Sequence, residues 1–285
     1  MSDARPFRDG AAAVWLPRDF VSVDGPDAVK FLQGQLSQQV EIDEGASAWT
    51  LLLSPQGKLV ALLRMLRVAS DRYVLETDAG FGEAVIERLN RFKLRIKADV
   101  APLEWKCLAV RGPGAHELAP GGVIADWPGL PGCDLVGESP QLPSGVPLVD
   151  LDAYERVRIE AGIPVMGKEL DESTIPAEAD IVDQAVTSVS WTKGCYTGQE
   201  LVARIDSRGG NVPRKLRGVR LPADADAPAG AAVHVGEKNV GRLTSVAGDV
   251  ALAYVGRAVA PPADVAVVWD GGSVPARVES LPLVP

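Results

Sequence analysis

Eight consecutive residues have the composition of a reactive site rather than of a core. The octapeptide is Lys193-Gly194-Cys195-Tyr196-Thr197-Gly198-Gln199-Glu200. A thiol beside a lysine and close to a helix N-terminus is expected to form its thiolate more readily than an isolated cysteine does. Gly194 and Gly198 permit backbone conformations and close approaches that larger residues forbid. We therefore predict that Cys195 does chemistry with Lys193 stabilising its thiolate, although a lone cysteine is more often a small buried apolar residue.

The segments on either side of the octapeptide must hold it in place. Upstream, the apolar, hydroxyl-rich run 185–191 is typical of a strand, and downstream, residues 199–205 are typical of the start of a helix. Gln199 and Glu200 would then orient the thiol or cap this helix, because a carboxylate is favoured at a helix N-terminus. Capping alone is enough to explain Glu200.

Length and composition describe a globular chain with room for more than one domain. It has 285 residues, of which 46% are hydrophobic, and no apolar run reaches the roughly 18 residues that span a bilayer. The first residues lack the basic flank and apolar core of a signal peptide, so we expect a soluble, cytoplasmic protein without a membrane partner. The net charge of −9 disfavours direct binding of nucleic acid, because such binding depends on neutralisation of phosphates by cations.

The chain has three cysteines, Cys107, Cys133 and Cys195, and two histidines. An odd number of cysteines without a Cys-x-x-Cys pair does not suit a disulfide framework. We also expect no bound metal, since a self-contained iron–sulfur cluster takes about four thiolates. Cys107 lies in an apolar run and is predicted to be core. Cys133 and Trp127 lie among glycines and prolines, where we predict an exposed, incidental thiol and a surface anchor rather than a pocket wall.

Two stretches are rich in cations despite the overall acidity. They contain Arg88, Arg91, Lys93, Arg95 and Lys97, and then Arg204, Arg208, Arg214, Lys215, Arg217 and Arg220. Either stretch could hold one anionic ligand, and either could equally be a solvated helix or strand face.

Apolar periodicity predicts antiparallel sheets with packed helices, followed by short strands. Strands are predicted at 20–23, 49–53, 59–68, 73–77 and 100–111, with the first hairpin turning at 54–57, and helices from 24–26 onward, over 81–94 and over 151–162. Gly34 inside the first of these helices would be explained by a close neighbour. After about residue 210, a small β-barrel is predicted from alternating segments at 217–221, 232–235, 240–246, 250–255, 265–269 and 274–278.

The octapeptide resembles the signature of the YgfZ proteins, folate-binding relatives of the glycine-cleavage T-protein. Five further stretches resemble family segments in the same order, at 31–37, 54–58, 91–95, 158–164 and 175–178. The resemblance implies an α+β fold in which residues 1–210 form a T-protein-like folate-binding domain, with a division into two subdomains between 110 and 150 as an option. Residues 211–285 would form the C-terminal β-barrel domain.

The resemblance also implies a cofactor, tetrahydrofolate or another folate derivative, in a cavity of the first domain. A carboxylate can accept paired hydrogen bonds from the pterin edge, and arginine suits the anionic glutamate tail. The candidate cofactor-binding residues are Glu160 and Glu178 for the pterin, Arg158 and Arg204 for the tail, and Gln199 and Glu200 in the octapeptide. The alternative for each is a solvated charge without a ligand.

One departure from the T-protein pattern bears on activity. The T-protein has an Asp-Asp pair in its first hairpin that serves aminomethyl transfer, whereas Ala61 and Leu62 stand in the matching place here. Neither residue can hold an amine or move its proton. We therefore expect Cys195 to be the working residue instead, as a one-carbon acceptor, a redox group or one ligand of a transient cluster shared with a partner.

Three functions follow in order of preference. The first is a folate-binding accessory protein for assembly or repair of iron–sulfur proteins, the role in which this family is implicated, which affects tRNA modification indirectly and has iron–sulfur enzymes as partners. The second is a folate-dependent one-carbon transferase resembling an aminomethyltransferase. The third, a module that binds tRNA directly, is disfavoured by the net charge.

Overall fold

The computed structural model describes residues 3–182 and 185–283. Its helices are α1 (Pro6–Asp9), α2 (Ala28–Gln35), α3 (Gly82–Arg91), α4 (Ala115–Leu118), α5 (Leu151–Ala161) and α6 (Gln199–Asp206), with a 3-10 turn at Pro176–Glu178. Its strands are β1 (Ala12–Leu16), β2 (Arg18–Asp24), β3 (Ser47–Leu53), β4 (Leu59–Ala69), β5 (Arg72–Asp78), β6 (Asp99–Leu103), β7 (Lys106–Arg111), β8 (Val123–Ile124), β9 (Gly132–Gly137), β10 (Arg214–Arg220), β11 (Ala232–Val235), β12 (Lys238–Ala247), β13 (Val250–Gly256), β14 (Ala263–Trp269) and β15 (Gly272–Glu279). Among the described residues, no helix has the length and apolar composition needed to cross a bilayer.

A five-stranded antiparallel sheet in the order β3-β4-β5-β2-β6 carries α2 and α3. The helices bury Leu32 and Leu89 against the sheet, as their spacing predicted. The first hairpin, β3–β4, is confirmed. Helix α2 begins later than predicted, at Ala28, because Gly25 forms a close turn: a Cβ there would lie 2.5 Å from the Lys97 carbonyl oxygen.

A second, four-stranded antiparallel sheet has the order β1-β7-β9-β8. The single strand predicted over 100–111 is wrong, because the chain leaves the first sheet after β6 and enters the second at β7. Cys107 is core, as predicted. The predictions for Cys133 and Trp127 are wrong: the thiol is buried under α4, and the indole is buried against Trp49, with ring centroids 5.5 Å apart. The glycines and prolines of this region shape turns around a short strand rather than an open loop.

Six charged side chains lie buried or nearly so between the two sheets, and their charges balance. They are Arg18, Arg64, Arg111, Glu76, Asp78 and Asp134. Arg64 pairs with Glu76 and lies 2.7 Å from Asp134, and Arg111 lies 2.8 Å from Asp134. Burial opposes the charge on Asp134, but the two arginines hold its pKa down at about 2. This buried ion network ties one sheet to the other.

Strands β10-β13-β12-β11-β14-β15 close into a barrel, and all six predicted strand segments are confirmed. Alternate residues such as Val219, Val233 and Val267 fill its interior. The domain boundary that we place near residue 210 stays a prediction.

Helix α5 connects the sheets to the barrel. Asp150 caps it by accepting from the Ala153 amide at 2.8 Å, and Gly162 ends it in the left-handed conformation, as the sequence predicted. The C-terminal segment lies on its end, where the Leu283 amide donates to the Glu160 carbonyl at 2.6 Å and Leu281 covers Gly162.

Candidate functional site

The segment before the octapeptide is not the strand predicted at 185–191. Its backbone is bound by the chain that follows α2 instead. Ser37 donates its hydroxyl to the Ser188 carbonyl at 2.6 Å, and its own carbonyl accepts from the Ser190 amide at 3.0 Å. Gln38 donates to the Thr187 carbonyl at 3.0 Å. These contacts bring the end of the segment 31–37, which was quoted for the family resemblance, to the run before the octapeptide, although the two are about 150 residues apart in sequence.

Lys193 binds the octapeptide to the same segment, the chain that follows α2. Its ammonium donates to the Leu36 carbonyl at 2.7 Å and to the Gln38 carbonyl at 2.8 Å, and it lies 5.4 Å from the centroid of the Tyr196 ring. Burial lowers the pKa of Lys193 from its ordinary 10.5 to about 8. The contacts of this side chain are therefore with backbone oxygens, which makes Lys193 a clamp.

Gly198 provides the tightest backbone approach at the site. It has a φ of +86°, and a Cβ on it would lie 2.5 Å from the Ser54 carbonyl oxygen and 3.2 Å from Gly57 Cα. The first hairpin turn thus packs directly on the octapeptide. Gly194 has no such constraint, because a Cβ there would meet nothing within 4 Å.

Gly34 likewise has no close neighbour for a Cβ, so the close contact predicted for it is wrong. Its carbonyl has a role instead, since it accepts from the Thr197 amide at 3.1 Å. The octapeptide therefore rests on the backbone of α2 as well as on the segment after it.

Helix α6 begins within the octapeptide, as predicted. Gln199 accepts from the Tyr196 amide at 3.2 Å, which holds the loop that carries the thiol. Glu200 is exposed in the first turn, where its charge suits the helix dipole. Arg204 is exposed in the last turn.

Cys195 is exposed, and its side chain lies at a shallow groove beside α2. The other residues of this thiol groove are Pro26, Val29, Lys30, Gln33, Gly34 and Glu41. A thiol in this position is open to a macromolecular partner.

A separate cleft lies between α6, the 3-10 turn and the start of the barrel. It has a volume of about 70 Å³ and apolar walls that include Leu201 and Ile205, with Trp191 at its side. Its charged members are Asp180, Asp206 and Lys215, of which Asp180 and Lys215 pair at 2.5 Å. Cys195 is not among the described residues that line this α6 cleft.

Asp180 has an unusual backbone conformation for its residue type. Its φ is +56°, in the left-handed region that favours glycine. Such a conformation persists only where surrounding contacts hold it, and it is found disproportionately at functional sites. Sequence reasoning did not single out Asp180, although its neighbour Glu178 was chosen.

The structure does not bring the predicted folate-binding residues together. Glu178 is buried and accepts from Arg214 at 3.0 Å, and the Arg214 guanidinium lies 4.3 Å from the centroid of the Tyr254 ring. The Glu178 carboxylate is thus paired with an arginine of the barrel strand β10.

Arg158 and Glu160 are also paired within the protein. Arg158 donates to Glu169 at 3.1 Å and to Ser245 of the barrel at 2.7 Å. Glu160 accepts from Arg8 at 2.7 Å and lies 3.0 Å from Arg156. Through these partners, Arg158 connects α5 to the barrel and Glu160 connects it to α1.

The positions that match the T-protein acid pair are buried and apolar. Ala61 belongs to the core under α2 and α3, whereas Leu62 belongs to the core on the other face of the sheet. Neither offers a group that could transfer a proton.

One cluster inside the protein has metal-ligating residue types. Glu76, Cys107 and Asp134 place ligand atoms within 4.8 Å of one another. The arginines of the buried ion network already neutralise both carboxylates, and burial raises the pKa of Cys107. This balance of charge disfavours an added cation.

Comparison with family models places two parts of the chain. Residues 19–125 match the GCVT N-terminal domain, and residues 214–278 match the CAF17 C-terminal beta-barrel domain.

Individual relatives agree with these matches. An uncharacterized protein of Haemophilus influenzae is 30% identical over 67% of this chain and 67% of its own length. The tRNA-modifying protein YgfZ of Edwardsiella ictaluri is 31% identical over 69% of this chain and 66% of its own. The human mitochondrial iron-sulfur cluster assembly factor IBA57 is 28% identical over 84% of this chain and 75% of its own. The chain therefore spans about two thirds of the bacterial relatives that it matches.

Among solved structures, the crystal structure of the glycine cleavage system aminomethyltransferase T from Bartonella henselae superposes with a TM-score of 0.81. The match covers 99% of this chain and 88% of that protein at 23% sequence identity. At this identity the likeness is one of fold.

Proposed function

This chain belongs to the family of YgfZ and IBA57, and from that premise we propose that it binds a folate and supports the assembly or repair of iron–sulfur proteins. The names of its relatives support a role in iron–sulfur cluster assembly and, through it, in tRNA modification. The single observation that carries the folate part is the α6 cleft with Asp180 in a left-handed conformation.

The α6 cleft suits the edge of a reduced folate in its chemistry. Its volume of about 70 Å³ is below the roughly 300–1,000 Å³ of a small-molecule site, so binding of a whole folate requires the cleft to widen. A pterin presents an amide and an amine along one edge, and the Asp180 carboxylate could accept from both. Leu201, Ile205 and Trp191 supply apolar surface for the rings. When bound, tetrahydrofolate supplies a carrier for a one-carbon unit.

Asp180 takes the place of the carboxylate that sequence reasoning assigned to Glu178 or Glu160. Both glutamates are buried and hold arginine partners away from the cleft. Asp180 also has a cationic partner, Lys215, but both of these side chains line the cleft. Arg204 remains the candidate for the anionic tail, because it lies on α6 next to the cleft residue Ile205. Arg158 is left out of the proposal since its donors are committed to Glu155, Glu169 and Ser245.

Cys195 is the proposed working residue for the iron–sulfur part. Its exposure supports the role of one ligand in a transient cluster shared with a partner, because a shared ligand must be reachable by another protein. Cys195 is not among the described residues that line the cleft, which gives less support to transfer of a one-carbon unit from folate to the thiol. Lys193 and Gln199 position the loop through the hydrogen bonds described above.

Aminomethyl transfer is not part of the proposal. The two hairpin positions that would supply its acids hold Ala61 and Leu62 in opposite cores. Of the two acids that line the α6 cleft, Asp180 and Asp206, the first is already paired with Lys215.

Calorimetry with tetrahydrofolate tests the folate part. We expect Asp180→Asn to weaken binding by about tenfold or more, because it removes a charged acceptor, and Asp224→Asn, an exposed loop acid on the barrel side, to leave it unchanged. Equal affinity for both variants and the unchanged protein would remove Asp180 from the site.

A complementation experiment tests the thiol. Cells that carry only Cys195→Ala should lose much of the activity of an iron–sulfur enzyme, whereas cells with Cys133→Ala, in which a buried thiol is removed, should keep it. Full enzyme activity with Cys195→Ala would end the case for this residue.

A further inference from the structure

Residues 91–97, the basic loop, begin at the last residue of α3. They differ from the charged regions described so far in that their cations have no acidic partner in the part of the chain that the structure describes. The sequence is Arg91-Phe92-Lys93-Leu94-Arg95-Ile96-Lys97, in which cations and apolar residues alternate. Leu94 is 82% exposed, a large fraction for a leucine, and Arg91, Arg95 and Lys97 are exposed as well.

The cations of the basic loop keep their charges free. Throughout residues 3–182 and 185–283, no carboxylate oxygen lies within 4.0 Å of a side-chain nitrogen of Arg91, Lys93, Arg95 or Lys97. The protein as a whole has a net charge of −9. Its second basic stretch pairs four of its six cations, Arg214, Lys215, Arg217 and Arg220, with acids. An acidic chain that leaves four neighbouring cations unpaired beside an exposed leucine presents a local surface of opposite sign.

The loop is held in shape at both ends. At its start, the Phe92 ring lies 4.0 Å from the guanidinium of Arg88, which donates to the Leu53 carbonyl at 3.1 Å and to Gln35 at 3.0 Å. At its end, the Lys97 amide donates to Asp27 at 2.8 Å. These contacts pre-organise the surface, which lowers the entropy cost of binding.

Within the loop, Arg95 has a φ of +58°. Among the described residues, it shares a left-handed conformation with one other non-glycine residue, Asp180 of the α6 cleft. Conformations of this kind are uncommon outside turns and functional segments.

The basic loop and the thiol groove lie along the same helix. The last residue of the loop, Lys97, is hydrogen-bonded to Asp27, just before α2. The groove of Cys195 includes Gln33 and Gly34 near the other end of α2. With a rise of 1.5 Å per residue, these points are about 10 Å apart along the helix. One protein surface of ordinary interface size covers both.

We propose that the basic loop, residues 91–97, is a docking surface for an acidic protein, with Leu94 as its apolar anchor and the four cations around it. The partner would sit along α2 and so reach Cys195. The inference rests on the proposed function in one respect, that the docked protein is the one whose cluster Cys195 serves.

RNA is the less suitable occupant of this surface. Sequence-tolerant RNA binding uses free aromatic faces on which bases stack. Phe92 is 36% exposed, but the Arg88 guanidinium lies against its ring, and the most exposed apolar residue of the loop is a leucine, which offers no stacking face. The acidic balance of the rest of the chain disfavours a long polyanion further.

The test uses the full chain and two probes of equal charge: a glutamate-rich peptide with one central leucine, and a uridine oligonucleotide. Affinities are measured by fluorescence anisotropy at low and at physiological salt. We expect the peptide to bind more tightly than the oligonucleotide, and Lys93→Glu/Arg95→Glu to weaken the peptide by about tenfold or more. Leu94→Ser should weaken it several-fold with no change in salt dependence, because it removes apolar contact and no charge.

Lys238→Glu/Arg242→Glu is the matched control, since it reverses two exposed cations on the barrel and should leave the affinity for the peptide within twofold of the original. Peptide binding that survives reversal at 93 and 95, or that falls equally with the control, overturns the proposal. Tighter binding of the oligonucleotide, lost on reversal of the same loop, assigns the surface to nucleic acid and also overturns it.

Calorimetry with tetrahydrofolate on the same loop variants separates this inference from the proposed function. Folate affinity should be unchanged by Lys93→Glu/Arg95→Glu, so that failure of folate binding in the unchanged protein counts against the cleft and not against the loop.

Discussion

Cys107 lies between two sheets beside the buried ion network, whereas Cys195 lies on an exposed loop that backbone contacts clamp to α2. The first thiol has Glu76 and Asp134 near it, and burial raises its pKa. The second has a groove open to solvent. Placement, not residue type, separates an inert thiol from an available one. The surrounding residues already differ in sequence, since the apolar run Leu108-Ala109-Val110 follows Cys107, whereas Cys195 lies between Gly194 and Gly198.

The largest expected difference is in rates of alkylation. Cys195 should react with iodoacetamide in the native protein. Cys107 and Cys133 are accessible only when the structure opens, so they should react more slowly by a factor of about 1,000 or more. Mass spectrometry of tryptic peptides during a labelling time course measures all three together. Comparable rates for Cys107 and Cys195 would break the comparison, and labelling in urea supplies the control in which the three thiols react alike.

Next in size is the loss of stability when the buried ion network is cut. Arg64→Met leaves Glu76 and Asp134 without a shared partner in the interior, so we expect the free energy of unfolding to fall by about 3–5 kcal/mol. Arg72→Met is the matched control, because its pair with Asp24 is half exposed at 3.4 Å and should cost less than about 1 kcal/mol. Urea denaturation measures both, and equal losses would show that the network adds nothing beyond a surface pair.

A smaller effect is expected where the octapeptide meets the first hairpin. Gly198→Ala forces a Cβ against the Ser54 carbonyl at a positive φ and should cost about 2 kcal/mol. Gly194→Ala, in open space, should stay within about 0.5 kcal/mol. Thermal unfolding of the two variants measures the difference, and a neutral Gly198→Ala would mean that the loop has another conformation in solution.

The smallest effect concerns the clamp under Cys195. The pKa of Lys193 is about 8 in the folded protein and 10.5 ordinarily, so between these values the unfolded chain binds more protons and the free energy of unfolding rises with pH. Since the side chain is partly exposed, we expect a gain below about 1 kcal/mol.

The Lys193 effect is measured as a difference. Urea midpoints of the unchanged protein and of Lys193→Met, taken below and above pH 8, cancel the titration of Tyr196, whose pKa burial raises to about 12. The same pH dependence in both proteins would assign it to other groups.

Much of the architecture was predictable from short-range patterns. The barrel strands, α3, α5 and the start of α6 follow from alternation, helical spacing and the glycine at 162. The run 185–191 has the composition of a strand, yet Ser37 and Gln38 supply its hydrogen-bond partners. Those residues are far away in sequence, so local propensity could not show the outcome.

The sites were less predictable because their residues act across the chain. Each member of the buried ion network resembles an ordinary strand charge until β4 and β9 are seen to face each other. Glu178 and Asp180 both lie on one turn, and only the fold shows that the first pairs with Arg214 while the second lines the α6 cleft. Cys195 could be chosen from sequence because its neighbours are unsuited to a core.

The joint between α5 and the barrel has a consequence for how the protein is made. Arg158 and Glu169 are buried with Ser245 as their common hydrogen-bond partner, and residues 281–283 cover the end of α5. Arg158 and Glu169 therefore cannot be buried with Ser245 between them until β12 has emerged from the ribosome, and the end of α5 stays uncovered for longer still. Native packing around α5 must then wait until residues 281–283 have been synthesised.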